Sequence, residues 1–310
     1  YLILILPVLN IFSNVIRAEG LPQKAMLGMI IGNMTNIILD PIMILALGWD
    51  VSGAAIATVL GNIVAAIFYL SHLLSGKSLL SILPRDYRIR DGVATGVFAI
   101  GIPASFNSIL MSASNIIINN KMMKFGDMAV AGLGVAMKVN MIVVMLLIGL
   151  GNGIQPLLGY CYGAGNRKRY LAVLKFSMAL AFGLSFIMTI ICYAGAGPLV
   201  KAFLEDPDAF SFGMSFARIY IYSGPVIGIL FVLMNAIQST GAALPALLLS
   251  VSRQGLLYLP ILYIMSAIFH APRALAATQP ITDYLSVMLA AILFLATYNR
   301  YIKHIQPVQE

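Results

Sequence analysis

An acid and an amide lie one helical turn apart inside a long apolar stretch of this sequence, residues 25–47. Helical spacing (i, i+4) places Asn36 and Asp40 on the same face. Pro41 follows directly, and because proline has no N–H, the carbonyl of Ile37 loses its helical partner and the helix is predicted to bend there. A carboxylate, an amide and a freed carbonyl are suitable ligands for a small cation. The alternative is a structural aspartate that caps a neighbouring helix.

Composition indicates that this acid lies in a membrane. Of the 310 residues, 60% are hydrophobic and only 10% are charged, whereas a soluble domain is about 25% charged. An ionised carboxylate in a membrane-length segment is energetically unfavourable unless it is paired or hydrated, so such a residue indicates a functional site by default. The net charge of +8 does not indicate nucleic-acid binding, because the basic residues are spread over the breaks between apolar runs.

Nine apolar segments can be drawn, which predicts an all-α membrane protein, a polytopic helical bundle. They span residues 1–18, 25–47, 52–74, 93–120, 128–160, 170–196, 212–238, 243–269 and 281–302. If they alternate across the membrane, eleven Lys and Arg residues fall on one side and four on the other. The positive-inside rule then places the 77–91 loop and the C-terminus in the cytoplasm, and we expect a multi-pass protein of the cell membrane.

A weak internal repeat predicts two halves. The segment from Tyr1 to Gly20 resembles the segment from Tyr222 to Gly241, and Asn14 matches Asn235. About three segments precede the second copy and none precedes the first. We therefore expect the intact protein to have twelve helices in two lobes, with residues 1–75 as a three-helix remnant of the first, 76–91 as the inter-lobe loop and 92–305 as the complete second lobe.

Several motifs, in order along nearly the whole chain, resemble those of the multidrug and toxic compound extrusion (MATE) family, from its fourth to its twelfth helix. They are Arg17-Ala-Glu-Gly, Asn36-x-x-x-Asp40-Pro41, Gly53-Ala-Ala-Ile-Ala-Thr58, Ala129-Val-Ala131 with Lys138, and Gly159-Tyr-Cys-Tyr-Gly163-Ala-Gly-Asn166. The resemblance implies a secondary active transporter that exports organic cations or amphiphilic drugs in exchange for Na⁺ or H⁺ by alternating access.

The resemblance also implies a cation site made by Asn36 and Asp40 on one helix and Thr58 on the next, completed by an aspartate of the family's first helix, which belongs to the part we expect to precede this chain. Na⁺ or a proton could bind at Asp40. Some family members carry acids on helices 7 and 10; the corresponding segments here have none, so we do not expect a carboxylate cation site in the C-terminal lobe.

Possible cavity-lining residues are Asn107, Asn115, Lys138 and Asn235. Interhelical hydrogen bonding is the alternative for the amides. Snorkelling to the outer interface is the alternative for Lys138, and Arg218 and Arg253 are likewise expected near interfaces.

We therefore expect a transporter without a cofactor other than its coupling ion, with drug-like small molecules and the lipid bilayer as partners, no nucleic acid, and a monomeric state. The closest alternative is a flippase for lipid-linked saccharides, whose cavity would need several Lys or Arg residues to hold phosphates. A membrane-embedded enzyme is disfavoured because the sequence shows no His-Glu-x-x-His motif, no clustered acids and no nucleophile. A chain without transport activity of its own is the third alternative.

Overall fold

A computed structural model describes residues 5–75, 78 and 93–303. The described part is almost entirely helical, and the chain divides into two compact units at Val93–Ala94. The predicted boundary at residues 76–91 lies almost wholly outside the described residues. The described part of the N-terminal unit contains three helices, α1 (Ile5–Ala18), α2 (Pro22–Pro41) and α3 (Asp50–Leu74), with a π-helical turn at Ile42–Ala46.

The C-terminal unit contains nine helices in its described part. They are α4 (Val93–Met122), α5 (Asp127–Gly163), α6 (Arg167–Ala194), α7 (Ala196–Lys201), α8 (Pro207–Ile221), α9 (Gly224–Ser239), α10 (Ala243–Val251), α11 (Tyr258–Ile268) and α12 (Pro272–Thr297). A short 3₁₀ turn, Met123–Phe125, joins α4 to α5. Two further π-helical turns are present, Ser252–Leu256 between α10 and α11 and Tyr298–Ile302 after α12.

In the N-terminal unit, small residues allow α2 and α3 to pack closely. A Cβ at Gly32 would lie 2.8 Å from the Ala65 Cβ and 2.9 Å from the Gly61 carbonyl oxygen, so no larger side chain fits there. Small residues with this role are typical of helix interfaces in membranes, where close van der Waals packing replaces the hydrophobic driving force.

The helix type changes immediately after Pro41. α2 ends at Pro41, and a π-helical turn continues in the same direction, with the Leu47 N–H donating to the Ile42 carbonyl oxygen at 3.0 Å. The missing N–H of Pro41 leaves the Ile37 carbonyl, one turn before it, without its helical donor, while the wider turn lies directly after the proline. The π-helical turn therefore begins two residues after Asp40.

The long helix α5 lies in the middle of the C-terminal unit's core. Its buried residues Val135, Val139 and Val143 recur every four positions and pack with Phe216 of α8 and Ile227 of α9. Because residues at i and i+4 share one helix face, a single apolar stripe on α5 meets both helices.

Six described helical spans are long and apolar enough to cross a membrane, or seven if the bent pair α8–α9 counts as one. The other two predicted segments correspond to α1, of which 14 residues are described, and to α4, which has 30. Large apolar side chains face outward along these helices; Leu45, Val51 and Phe176 are 81%, 84% and 69% exposed. An outer surface this apolar is suited to lipid rather than to water.

Two predicted segments differ from the structure in ways that matter for the site. The segment predicted at 212–238 is broken into α8 and α9, which meet at an angle of 49° around Tyr222 and Ser223. Pro225 at the start of α9 has no N–H and favours a new helix start. The segment predicted at 281–302 begins nine residues earlier, at Pro272, so that residues near 281 lie in the middle of α12 and not at its end.

Candidate functional site

The three residues predicted to bind a cation lie together on α2 and α3. The Nδ2 atom of Asn36 lies 3.3 Å from Oδ1 of Asp40 and 3.3 Å from Oγ1 of Thr58. Asn36 therefore connects the acid on its own helix with the hydroxyl on the next one. We refer to Asn36, Asp40 and Thr58 as the Asp40 site.

Backbone packing brings Thr58 within reach of Asn36. Gly61, almost one turn after Thr58 on α3, lies so close to α2 that an added Cβ would stand 3.1 Å from the Asn36 Cβ and 2.6 Å from the Gly32 carbonyl oxygen. A larger residue at position 61 would push the two helices apart and separate Asn36 from Thr58. The small residues of the α2–α3 interface are thus required to bring the members of the Asp40 site together.

The Asp40 site offers oxygen ligands suited to a hard cation. Asp40 supplies a carboxylate and Thr58 a hydroxyl oxygen, whose proton is directed to the Ala54 carbonyl at 2.9 Å. The Asn36 amide nitrogen faces both of them, so a rotation of the amide would present its oxygen as a third ligand. Asn36 and Asp40 are half-buried and Thr58 is exposed, so the ligands can be reached from outside the N-terminal unit. Oxygen atoms of these three kinds fit Na⁺, while a proton needs only the carboxylate.

Three of the four possible cavity-lining residues have described side chains, and these lie at separate positions. The Asn107 side chain lies outside the described part. Asn115 is half-buried on α4, and its carbonyl oxygen accepts a hydrogen bond from the Asn119 side chain at 2.8 Å. The Lys138 side chain is exposed, and its ammonium group lies over the Phe203 ring at 4.9 Å from the centroid.

The fourth residue, Asn235, is 7% exposed and is held between two helices. Its Nδ2 donates to the Phe231 carbonyl oxygen on its own helix at 2.8 Å. The same amide fills the space above Gly151 of α5, where a Cβ would collide with Nδ2. These contacts describe an amide that packs α5 against α9.

A second charged site, which the sequence analysis did not identify, lies in the C-terminal unit. Asp283 of α12 has a fully buried side chain and forms an ion pair with Arg253, at 3.1 Å between Nη2 and Oδ1. Nε of Arg253 and Nε2 of Gln279 also donate to Oδ1, at 3.2 and 3.1 Å. The Ser223 hydroxyl donates to Oδ2 at 3.0 Å. We refer to Asp283, Arg253, Gln279 and Ser223 as the Asp283 site.

Each partner of Asp283 comes from a different part of the fold. Ser223 lies in the break between α8 and α9, Arg253 in the π-helical turn 252–256, and Gln279 one turn before Asp283 on α12. Sequence reasoning missed the site because the segment predicted to start at 281 placed Asp283 near a membrane surface, where an acid needs no partner. The proline at 272, typical of a first helical turn, is the signal that would have moved the helix start. Arg253, expected near an interface, instead pairs with this buried acid.

The Arg17-Ala-Glu-Gly motif has a structural partner at the end of α3. Oε2 of Glu19 lies 3.7 Å from Nε2 of His72, and Nζ of Lys24 lies 3.3 Å from Nδ1 of the same ring. Glu19 also bonds to Ser78. The motif thus ties the turn between α1 and α2 to the last turn of α3.

The fold and these sites define a polytopic helical membrane protein with buried ionisable residues. The MatE family model matches residues 103–264, more than half of the chain. The chain belongs to the MATE family.

Relatives of known name agree with this assignment. The chain is 29% identical over 260 residues to the multidrug export protein MepA of Staphylococcus aureus strain MSSA476, an alignment that covers 84% of this chain and 57% of MepA. The chain therefore spans little more than half the length of the curated relatives it matches.

Solved structures show the same fold. A crystal structure of a MATE protein in complex with MaL6 matches with a TM-score of 0.87 at 21% identity, covering 96% of this chain and 68% of that one. An outward-facing multidrug resistance MATE family transporter matches with a TM-score of 0.85 at 21% identity, covering 95% and 66%.

Proposed function

We propose that the protein is a secondary active multidrug efflux transporter, which exports organic cations or amphiphilic drugs in exchange for Na⁺ or H⁺ by alternating access. The observation that carries this proposal is the convergence of Asn36, Asp40 and Thr58 in a chain of the MATE family. The family consists of transporters, so chemical conversion of a substrate is not part of the proposal.

The Asp40 site is proposed to couple ion entry to drug export. A bound cation neutralises the Asp40 carboxylate and replaces the Asn36 amide hydrogens that lie against it. Coupling needs only that the ion and the drug bind with different affinity to the inward-open and outward-open states. Because Asp40 is half-buried and next to the π-helical turn 42–46, its change of charge acts directly on an irregular part of the helix.

The charges of the C-terminal unit give less support to a flippase for lipid-linked saccharides. Such a protein needs free cations to hold phosphates. Here Arg253 is neutralised by Asp283, which leaves two exposed cations of these three, Lys138 and Arg218, each beside one aromatic ring. We therefore favour drug-like substrates.

The remaining expectations form part of the same proposal. The protein is placed in the cell membrane, with its C-terminus in the cytoplasm because basic residues predominate on that side. It acts as a monomer and needs no cofactor besides the coupling ion.

The test is efflux of the fluorescent organic cation ethidium from vesicles with an imposed Na⁺ or pH gradient, comparing wild type with Asp40→Asn. The variant keeps the volume and one acceptor oxygen but loses the charge, so gradient-driven efflux should be lost while insertion is kept. The matched control is Asp50→Asn, which removes the exposed acid at the start of α3. Unchanged efflux in Asp40→Asn would show that Asp40 has only a structural role. Loss of efflux under the Na⁺ gradient alone, or under the pH gradient alone, would identify the coupling ion.

A further inference from the structure

The Asp283 site holds a fully buried acid in a helix of membrane-spanning length. α12 together with its last turn is one of the apolar spans, Pro272–Ile302, and Asp283 is 0% exposed. An ionised carboxylate in such surroundings is stable only while a cation and hydrogen-bond donors accompany it. The Arg253 guanidinium supplies that cation, since it stays charged at every physiological pH.

The two charged partners differ in how firmly the backbone holds them. Asp283 lies in regular α-helix, whereas Arg253 lies in a π-helical turn closed by a hydrogen bond of 2.8 Å from the Leu257 N–H to the Ser252 carbonyl oxygen. A π-helical turn contains one residue more than an α-helical one and is frequent at functional sites.

Arg253 also has a path to the surface that Asp283 lacks. The arginine side chain is 15% exposed and its guanidinium packs on the Phe231 ring at 5.5 Å. If Arg253 turns outward, the buried carboxylate is left without a cation. A proton is the one cation that neutralises a carboxylate without a set of further ligands.

We propose that the Asp283 site is a second coupling site, where Asp283 exchanges the Arg253 guanidinium for a proton during transport. The proton passes from water to a carboxylate oxygen, and no covalent bond breaks. The guanidinium keeps its charge, so the charge of the pair rises from zero to plus one until the proton leaves and the ion pair forms again. The proposal rests on the efflux function for the transport cycle, but not for the protonation step.

The ionisable groups that the described structure places around Asp283 keep their charge near neutral pH. Of the helices packed against α12, α8 presents Tyr220 and α11 presents Tyr258, both close enough to interact electrostatically with the carboxylate. These are phenols and stay neutral there. α9 and α10 carry no ionisable residue, and Arg253 is permanently charged. Protonation at the site is therefore assigned to Asp283 alone.

The first experiment detects the proton itself. Infrared spectra of the whole protein in lipid vesicles, between about pH 5 and about pH 8, are compared for wild type, Asp283→Asn and Arg253→Gln. We expect a protonated-carboxyl band that is absent from Asp283→Asn, changes when ethidium is added at constant pH, and develops at less acidic pH in Arg253→Gln. No Asp283-dependent band in wild type, with or without ethidium, would overturn the proposal, as would a change driven by Na⁺ at constant pH.

The second experiment measures coupling with a variant that leaves no unpaired charge. In Arg253→Gln/Asp283→Asn, efflux of ethidium driven by a pH gradient should fall by about tenfold or more, while ethidium counterflow without a gradient is kept. The matched control is Arg300→Gln/Asp208→Asn, which removes one exposed arginine and one exposed aspartate. Wild-type efflux in the Arg253/Asp283 double variant would show that the ion pair only stabilises the fold, with the efflux function intact.

Failure of the efflux proposal gives a different result. In that case wild type exports no ethidium under either gradient, and the infrared band alone decides whether Asp283 takes up a proton. Efflux that responds to a Na⁺ gradient but not to a pH gradient would contradict the exchange at Asp283 and leave the efflux function in place.

Discussion

The phenolic hydroxyl of Tyr69 donates to the carbonyl oxygen of Ala25 at 2.6 Å, across the interface between α3 and α2. The same ring occupies the space that a side chain at position 28 would need, since three of its carbon atoms lie within 3 Å of where a Cβ on Gly28 would stand. The hydrogen bond and the glycine therefore depend on each other. Tyr69 can reach Ala25 only because position 28 has no side chain.

We predict that Gly28→Ala destabilises the protein by about 1–3 kcal/mol, the usual cost of overpacking. The Tyr69 ring is fully buried and cannot move away without losing its bond to Ala25. The midpoint of thermal unfolding in detergent measures the effect. The control is Gly134→Ala on α5, where an added Cβ meets nothing within 4 Å and the better helix propensity of alanine should be neutral or stabilising. Equal midpoints for the two variants would contradict this prediction.

A second prediction concerns the Thr58 hydroxyl. Thr58→Val keeps the shape of the side chain but removes the oxygen that accepts from Asn36, whereas Thr58→Ser keeps the oxygen. If the hydroxyl is a cation ligand, Thr58→Val should raise the ion concentration needed for half-maximal efflux by about tenfold, and Thr58→Ser should change it little. Ion titrations of ethidium efflux provide the measurement. The same ion requirement in both variants would exclude Thr58 as a ligand.

Position 151 allows a third prediction. An alanine at Gly151 would force the buried Asn235 amide to rotate and break its 2.8 Å bond to the Phe231 carbonyl, leaving buried polar groups unpaired at a cost of about 1–3 kcal/mol. Thermal unfolding in detergent should show a lower midpoint for Gly151→Ala. Gly149→Ala, two residues earlier on the same helix and open to space, serves as the control and should not lower it. A second variant, Gly151→Ala/Asn235→Ala, should recover part of the loss.

The ion pair of the Asp283 site allows a fourth prediction, on stability. Removing one partner leaves the other charge buried, so Arg253→Gln should destabilise by about 3–5 kcal/mol. Asp283→Asn leaves the Arg253 guanidinium unpaired, but this group is partly exposed. The loss of stability in Asp283→Asn should therefore be smaller than in Arg253→Gln. The double variant should be more stable than Arg253→Gln, because no unpaired charge is left. A double-mutant cycle on unfolding in detergent measures the coupling, and additive effects would show that the two residues are not energetically coupled.

The class of protein and the order of its helices could be predicted from the sequence because apolar length decides them. A stretch of about 20 apolar residues needs a bilayer whatever its neighbours are. The same reasoning misjudged residues 212–238, because hydropathy does not distinguish a continuous helix from one broken at Tyr222 and Ser223. It also began the last segment too late, since the polar residues Thr278, Gln279 and Thr282 reduce hydropathy although Thr278 and Thr282 are buried.

Asn36 and Asp40 were open to prediction because four residues of helix suffice to bring them together. Thr58 is 22 residues from Asn36, and only the resemblance to a family placed it at the same site. Asp283 and Arg253 are 30 residues apart, and no local pattern joins them. Arg253 reaches Asp283 from the π-helical turn 252–256, and the early start of α12 places Asp283 inside the helix.

Hydropathy and helical periodicity act over one segment at a time, and they are enough to specify a helical membrane protein with an acid and an amide on one helical face. Which charges are paired depends on how the helices pack. That choice depends on burial: Asp283 needs a cation because the packing of α8, α11 and α12 removes it from water, and burial is a property of the assembled unit and of no single segment.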